Sequence, residues 1–231
     1  MIKTRPFAYW LFGLVMMLVL NQHEGLCQDY DSLPNQPEYY NKQAARFLTE
    51  EVRKGGIFFL GNSITEGGNW KVLLKDSSAV NRGISGDNSF GVLQRLDEVI
   101  RHQPSKIFLM IGINDLSKNI PNAVIIQNIF SIIGRIHSES PKTIVFVQSL
   151  LPVNPGHKNF PPRYKKDTDI IEINGQLKKY HEALKYTYLD LYAHFLDDKL
   201  LLDLRYTTDG LHLNQAGYVH WVDYLKKQKC L

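Results

Sequence analysis

Four short segments, far apart in the chain, carry residues of complementary chemistry: Gly61-Asn62-Ser63-Ile64-Thr65, Gly83-Ile84-Ser85-Gly86-Asp87, Gly112-Ile113-Asn114-Asp115 and Asp209-Gly210-Leu211-His212. Cleaving an acyl ester requires a nucleophile, a base for its proton, a group that orients the base, and donors for the oxyanion. Ser63, on a glycine-bearing turn after an apolar run, has the chemistry of the nucleophile. His212 has that of the general base, and Asp209 that of the group that sets its tautomer and stabilises the imidazolium. Gly86 offers an unobstructed backbone N–H and Asn114 a side-chain amide. With the Ser63 N–H they would make a three-donor oxyanion hole. Each segment alone has a plainer explanation, such as a helix cap, a turn or a surface histidine. Their order, each at a strand end or beside a helix start, is what argues for a site.

The elements that must position them read as alternating strands and helices. Strand-like apolar runs fall at 57–61, 79–83, 106–111, 143–150 and 187–191. Helical spacing of apolar residues falls at 39–53, 89–101, 121–137, 167–186 and 214–227, with loop and helix over 63–75. Pro121 suits a first helical turn and Asn214 an N-cap. Five such alternations predict a parallel sheet covered on both faces. Ligands bind such sheets at the carboxyl ends of the strands, where all four segments fall. Residues 153–166 hold three prolines, a glycine and no periodicity, and are expected to be a long loop, either bordering the site or an irregular surface connection.

The chain has 231 residues, 44% hydrophobic, enough for one sizeable core. Lys3 and Arg5 precede an uncharged apolar run over 7–20, too short for a comfortable membrane span but suited to a secretory signal. Gly25-Leu26-Cys27 then suits cleavage after Cys27. Residues 1–27 are therefore expected to be a signal peptide, 28–54 a lead-in and helix, and 55–231 the main domain. Lipid attachment at Cys27 is disfavoured by Leu26, which stands where a small residue is usual, and an uncleaved membrane anchor is the remaining alternative. Export to the periplasm or exterior follows, with no membrane span after cleavage. Cys27 and Cys230 cannot build a disulfide framework, and no cysteine–histidine cluster has zinc-ligand spacing, so neither metal nor cofactor is expected. Net charge is +4, and +3 without residues 1–27, with the basic residues scattered. This argues against nucleic-acid binding.

The four segments resemble the blocks of the SGNH hydrolases, the GDSL esterase/lipase superfamily, with Ser63, Gly86, Asn114 and His212 matching the four letters in order. The resemblance covers about residues 55–228. It is closest to the branch of platelet-activating-factor acetylhydrolase subunits and bacterial carbohydrate acetylesterases. It implies a flavodoxin-like three-layer α/β/α sandwich on a five-stranded parallel sheet, a metal-free Ser-His-Asp triad, and hydrolysis of small acyl esters. One departure is Asn62, where the family usually has Asp. Asn keeps an acceptor and adds a donor, so the change is expected to be modest.

The expected function is that of an exported serine esterase taking short acyl groups, acetyl first, from a carbohydrate. The absence of a long amphipathic lid helix and the polar residues Asn69, Asn88, Asn154, His157, Lys158 and Arg163 favour a small polar substrate. Trp70 is a candidate for stacking on a sugar ring, and Asn88 a candidate substrate contact. The alternatives are a lysophospholipase or thioesterase acting on longer chains, and a non-catalytic glycan-binding protein on the same scaffold. The complete set Ser63, Asp209, His212, Gly86 and Asn114 counts against the last. Activity is expected to need the neutral imidazole of His212 and to be indifferent to chelators.

Overall fold

Parallel strands need crossovers, and crossover helices bury both faces of the sheet, so the strands read as continuous apolar runs. The computed structural model describes residues 31–52 and 54–231. The expected signal peptide, Cys27 and the first residues of the lead-in lie outside the described residues. Among those described, the five strands β1 (Ile57–Gly61), β2 (Ala79–Gly83), β3 (Lys106–Met110), β4 (Ile144–Gln148) and β5 (Thr187–Leu189) form one parallel sheet of order β2-β1-β3-β4-β5. This is the expected five-stranded α/β fold. The order reverses between β1 and its neighbours β2 and β3, which opens a crevice beyond the carboxyl end of β1.

In chain order the helices are α1 (Pro37–Thr49), α2 (Ser63–Glu66), α3 (Trp70–Leu74), α4 (Ser89–Gln94), α5 (Leu96–Ile100), α6 (Ile113–Ser117), α7 (Asn122–Glu139), α8 (Asp167–Tyr180), α9 (Leu191–His194) and α10 (Gln215–Lys227). The buried positions of α7, Ile125, Ile129, Ile132, Ile133 and Ile136, trace one helical stripe. The helix expected over 89–101 is two helices. The break falls at Arg95, whose side chain turns into the interior instead of continuing the solvated face. Helix α1 stops at Thr49 and α8 at Tyr180, both earlier than expected, and the loop over 153–166 contains a short 3-10 turn, Pro162–Tyr164. Among the described residues, no helix is long and apolar enough to cross a membrane.

The register aligns Phe59, Phe108 and Phe146 across three strands, with ring centroids 4.8 and 4.6 Å apart. The Trp70 ring extends this row, stacked on Phe59 at 3.8 Å, and the Trp221 ring of α10 meets Trp70 edge-on at 4.9 Å. The Trp70 indole N–H donates to Thr65 O at 2.9 Å, which satisfies its one polar atom inside the core. Helix α1 docks chiefly through Tyr40 and Phe47. The Tyr40 hydroxyl donates to Gly91 O at 2.7 Å, and the Phe47 ring lies 4.3 Å from the Arg82 guanidinium carbon.

Trp70 is 1% exposed, so truncation leaves a large cavity between β1 and α10. Trp70→Ala is expected to cost about 3–5 kcal/mol of stability, read by urea unfolding. A loss below about 1 kcal/mol would mean that this row of rings does not carry the core.

Candidate active site

Chain reversals at three strand ends bring the first three segments together. β1 ends at Gly61, where a Cβ would collide with the Met110 carbonyl and the Thr65 side chain, so only glycine lets the turn lie this close to β3. Asn62 is buried, and its Oδ1 accepts from the Ile64 N–H at 3.0 Å, capping α2. The residue that departs from the family pattern thus caps the turn with its side-chain oxygen, an acceptor that Asp would share. Ser63 follows as the first residue of α2, where the backbone N–H has no intrahelical acceptor. β2 leads to Gly86 at φ +80°, a left-handed conformation that favours glycine. β3 leads to Asn114 in the first turn of α6.

The fourth segment arrives from the far end of the chain. The Ser63 Oγ lies 3.0 Å from His212 Nε2, and His212 Nδ1 lies 2.7 Å from Asp209 Oδ2. A carboxylate only accepts, so Nδ1 carries the proton and Nε2 is left to accept from the serine hydroxyl. Asp209 Oδ1 accepts from the N–H groups of Leu211 and His212, at 2.9 and 2.7 Å. Burial would raise the Asp209 carboxyl, but the His212 ring and these two N–H groups outweigh it and hold the pKa below the usual carboxylate value. Thr207 braces the loop, its hydroxyl donating to His212 O at 2.7 Å and accepting from Gly210 N at 2.8 Å. The Tyr218 hydroxyl of α10 donates to Ile64 O at 2.8 Å and ties the histidine end of the chain to the serine helix.

Asn114 is buried and its amide is fully oriented. Nδ2 donates to Asp87 O at 2.8 Å, while Oδ1 accepts from the Tyr164 hydroxyl at 2.8 Å and from Asn35 Nδ2 at 3.1 Å. Next to Asn114, the Asp115 carboxylate accepts from the Ser89 hydroxyl at 2.5 Å and from the Ser89 N–H at 3.1 Å. Burial pushes the Asp115 carboxyl up to about 7 against these donors.

Two expected substrate contacts are corrected. Trp70 cannot stack on a sugar, because its ring is 1% exposed and both its face and its edge are taken by Phe59 and Trp221. Asn88 is fully buried. Its Oδ1 caps α4 through Gly91 N, and its Nδ2 holds the carbonyls of Ser32 and Leu33 at 2.9 and 3.0 Å. Sequence reasoning overlooked Asn35 and Tyr164. Both lie in segments without periodicity, and only the tertiary fold aims them at Asn114. Among the described residues, no three His, Cys, Asp or Glu side chains are grouped so as to hold a metal ion.

A crevice at the carboxyl edge of a five-stranded parallel sheet, holding this serine, histidine and acid, defines an SGNH-type hydrolase fold. Residues 59–219 match the model of the GDSL-like Lipase/Acylhydrolase family, and the chain belongs to that family. Among solved structures, a candidate platelet activating factor from Streptococcus pneumonia is 27% identical with a TM-score of 0.73, over 95% of this chain and 98% of that one. A GDSL-like lipase from Bacteroides thetaiotaomicron is 26% identical with a TM-score of 0.70, over 83% and 98%. An acetylxylan esterase from Geobacillus stearothermophilus shares the fold at 18% identity and a TM-score of 0.61, over 78% and 96%. No curated protein sequence matches the chain.

Asp115 generates a prediction about pH. Its folded pKa, about 7, stands above the ordinary 3.8, so the folded state holds this proton more tightly. That contribution to stability is fully present below the ordinary value and is lost as pH rises through about 7. Asp115→Asn, which cannot ionise, is expected to flatten the melting-temperature profile between about pH 5 and 8. An equally steep fall in wild type and variant would exclude Asp115 as a source.

Proposed function

We propose that the protein is an exported serine esterase that hydrolyses short-chain acyl esters, acetyl first, on a carbohydrate. The observation that carries this reading is the hydrogen-bonded line Ser63–His212–Asp209, at 3.0 and 2.7 Å, beside an oriented Asn114 amide. His212 Nε2 takes the hydroxyl proton as Ser63 Oγ attacks the carbonyl carbon. The oxyanion forms against the N–H groups of Ser63 and Gly86 and the Asn114 amide. The imidazolium, steadied by Asp209, returns its proton to the departing alcohol and leaves an acyl-serine. Water then attacks by the same route, His212 taking its proton and returning it to Ser63 as the carboxylic acid departs. Each oxyanion donor is worth about 2.7–4 kcal/mol in such sites. No step calls for a metal.

The acyl preference is supported by a small cavity lined by chain neighbours of the serine and histidine, Asn62 among them, and by Pro152, although not by Ser63 or His212 themselves. Ile64, which follows Ser63, and Leu211, which precedes His212, line it with Met110, Ile113, Leu150 and Leu151. Its volume is about 10 Å³. That is room for roughly one water-sized group, such as a methyl, and not for an alkyl chain. The alcohol side is read as polar from the exposed Lys158 and Arg163 of the 153–166 loop. Export rests on the basic and apolar pattern of residues 1–27.

Ser63→Ala and His212→Ala are each expected to lower kcat for an aryl acetate by at least ~10⁴-fold without loss of fold, and the double variant to be scarcely worse. Near-wild-type turnover by folded Ser63→Ala would end the reading. Across aryl esters, acetyl is expected to be best, with a decline by butyryl and little activity at octanoyl. If kcat/KM instead rose by the ~0.8 kcal/mol that each buried methylene can contribute, the substrate would be a long-chain lipid or thioester.

A further inference from the structure

The segment leading into α1 has no repeating pattern, yet it is pinned to the site at several points. Asn88 Nδ2 holds the carbonyls of Ser32 and Leu33, and Lys118 Nζ reaches Asp31 Oδ2 and Leu33 O, each at 2.6 Å. These contacts deliver Asn35 to both of the oxyanion donors that lie outside the serine turn. Its backbone N–H donates to Gly86 O at 2.8 Å. A Cβ at Gly86 would stand 3.3 Å from the Asn35 Cβ and 3.1 Å from the Gln36 N, so the segment closes over that glycine. The Asn35 side chain, half-buried, points Nδ2 at Asn114 Oδ1, 3.1 Å away.

That last contact is the second of two that favour one orientation of the Asn114 amide, the first being the Asp87 carbonyl. An amide can turn over, exchanging Oδ1 and Nδ2, unless its neighbours discriminate between them. The Tyr164 hydroxyl, 2.8 Å from Oδ1, does not discriminate, since a hydroxyl both donates and accepts. Asp87 O, which receives Nδ2 at 2.8 Å, accepts only. Asn35 Nδ2 donates only. The turned-over amide would face a carbonyl with its oxygen and an NH₂ with its own NH₂, two repulsive pairs instead of two hydrogen bonds.

We propose that Asn35 is a positioning residue of the oxyanion hole. It acts through Asn114, holding that amide with Nδ2 toward the reacting carbonyl. This rests on the reading of Asn114 as an oxyanion donor. Its consequence is that a residue of the lead-in, outside the four catalytic segments, sets part of the rate.

The test is steady-state hydrolysis of an aryl acetate by the full chain carrying Asn35→Ala, Asn35→Asp, Asn114→Ala and the Asn35→Ala/Asn114→Ala pair, with melting temperatures alongside. Asn35→Ala keeps the backbone bond to Gly86 and is expected to lower kcat ~10-fold with KM little changed. That is a smaller loss than the ~10²–10³-fold that follows removal of a donor itself. Asn35→Asp, nearly isosteric, is expected to lose more than Asn35→Ala, because an acceptor then faces Oδ1. In the Asn114→Ala background the Asn35→Ala loss is expected to vanish, which a merely structural role would not produce. An unchanged kcat in Asn35→Ala and Asn35→Asp while Asn114→Ala is impaired would overturn this proposal alone. So would an Asn35→Ala loss that persists undiminished without Asn114. An unimpaired Asn114→Ala would overturn the oxyanion reading and this proposal with it.

Discussion

The buried pair of Asp87 and Arg95 is the constraint on which the site depends. Arg95 Nε meets Asp87 Oδ2 at 2.9 Å, with both side chains almost wholly out of solvent. From that position Arg95 Nη2 donates to Gly61 O at 3.1 Å and Arg82 O at 2.8 Å, the carbonyls at the ends of β1 and β2. Asp87 in turn offers its own carbonyl to the Asn114 amide. One ion pair therefore ties the serine turn, the Gly86 turn and the start of α6 to one another. Burial pushes the Asp87 carboxyl up to about 6 while Arg95 pulls it down. Such a pair adds little net stability compared with apolar residues, but removing one partner strands a buried charge. What it supplies here is geometry.

The cost of that arrangement is distributed through the core. Arg95 Nη1 and Arg82 Nη2 are buried without a hydrogen-bond partner. The Phe47 ring lies 5.9 Å from the Arg95 guanidinium carbon and 4.3 Å from that of Arg82, so helix α1 covers both cations with an aromatic face. Glu98 accepts from Arg82 Nε at 3.1 Å. The helix before the first strand is thus part of the electrostatic support of the strand ends, and the aromatic row on the opposite face supplies apolar burial.

The strand pattern, the helix faces and the four chemical segments could be read from the sequence because each is local. A run such as Phe58-Phe59-Leu60 needs two covered faces whatever surrounds it, and a glycine beside a strand end marks a turn wherever it occurs. Trp70 and Asn88 were misread for the same reason. Sequence places them near the site, but the direction of a side chain is set by what packs against it, Phe59 and Trp221 in one case and the 31–36 segment in the other. Arg95 falls inside a run whose apolar spacing suggests one helix over 89–101, and only its partner Asp87 makes an inward turn of that charge favourable. Asn35 and Tyr164 carried no periodic signal, so nothing local distinguished them from other polar or aromatic loop residues.

The contact between Ser63 and His212 joins residues 149 positions apart. Bringing such distant points together is the slow part of folding, since the entropy of closing the loop must be met before any contact rewards it. If the sheet and its helices form before α10 and the loop preceding it dock, such a chain holds Ser63 without His212, and under the function proposed above it would not yet cleave an ester. Recovery of ester cleavage would then follow the final closure and not the formation of the sheet. A plain colorimetric substrate becomes a clock for the longest-range step in the assembly of the molecule.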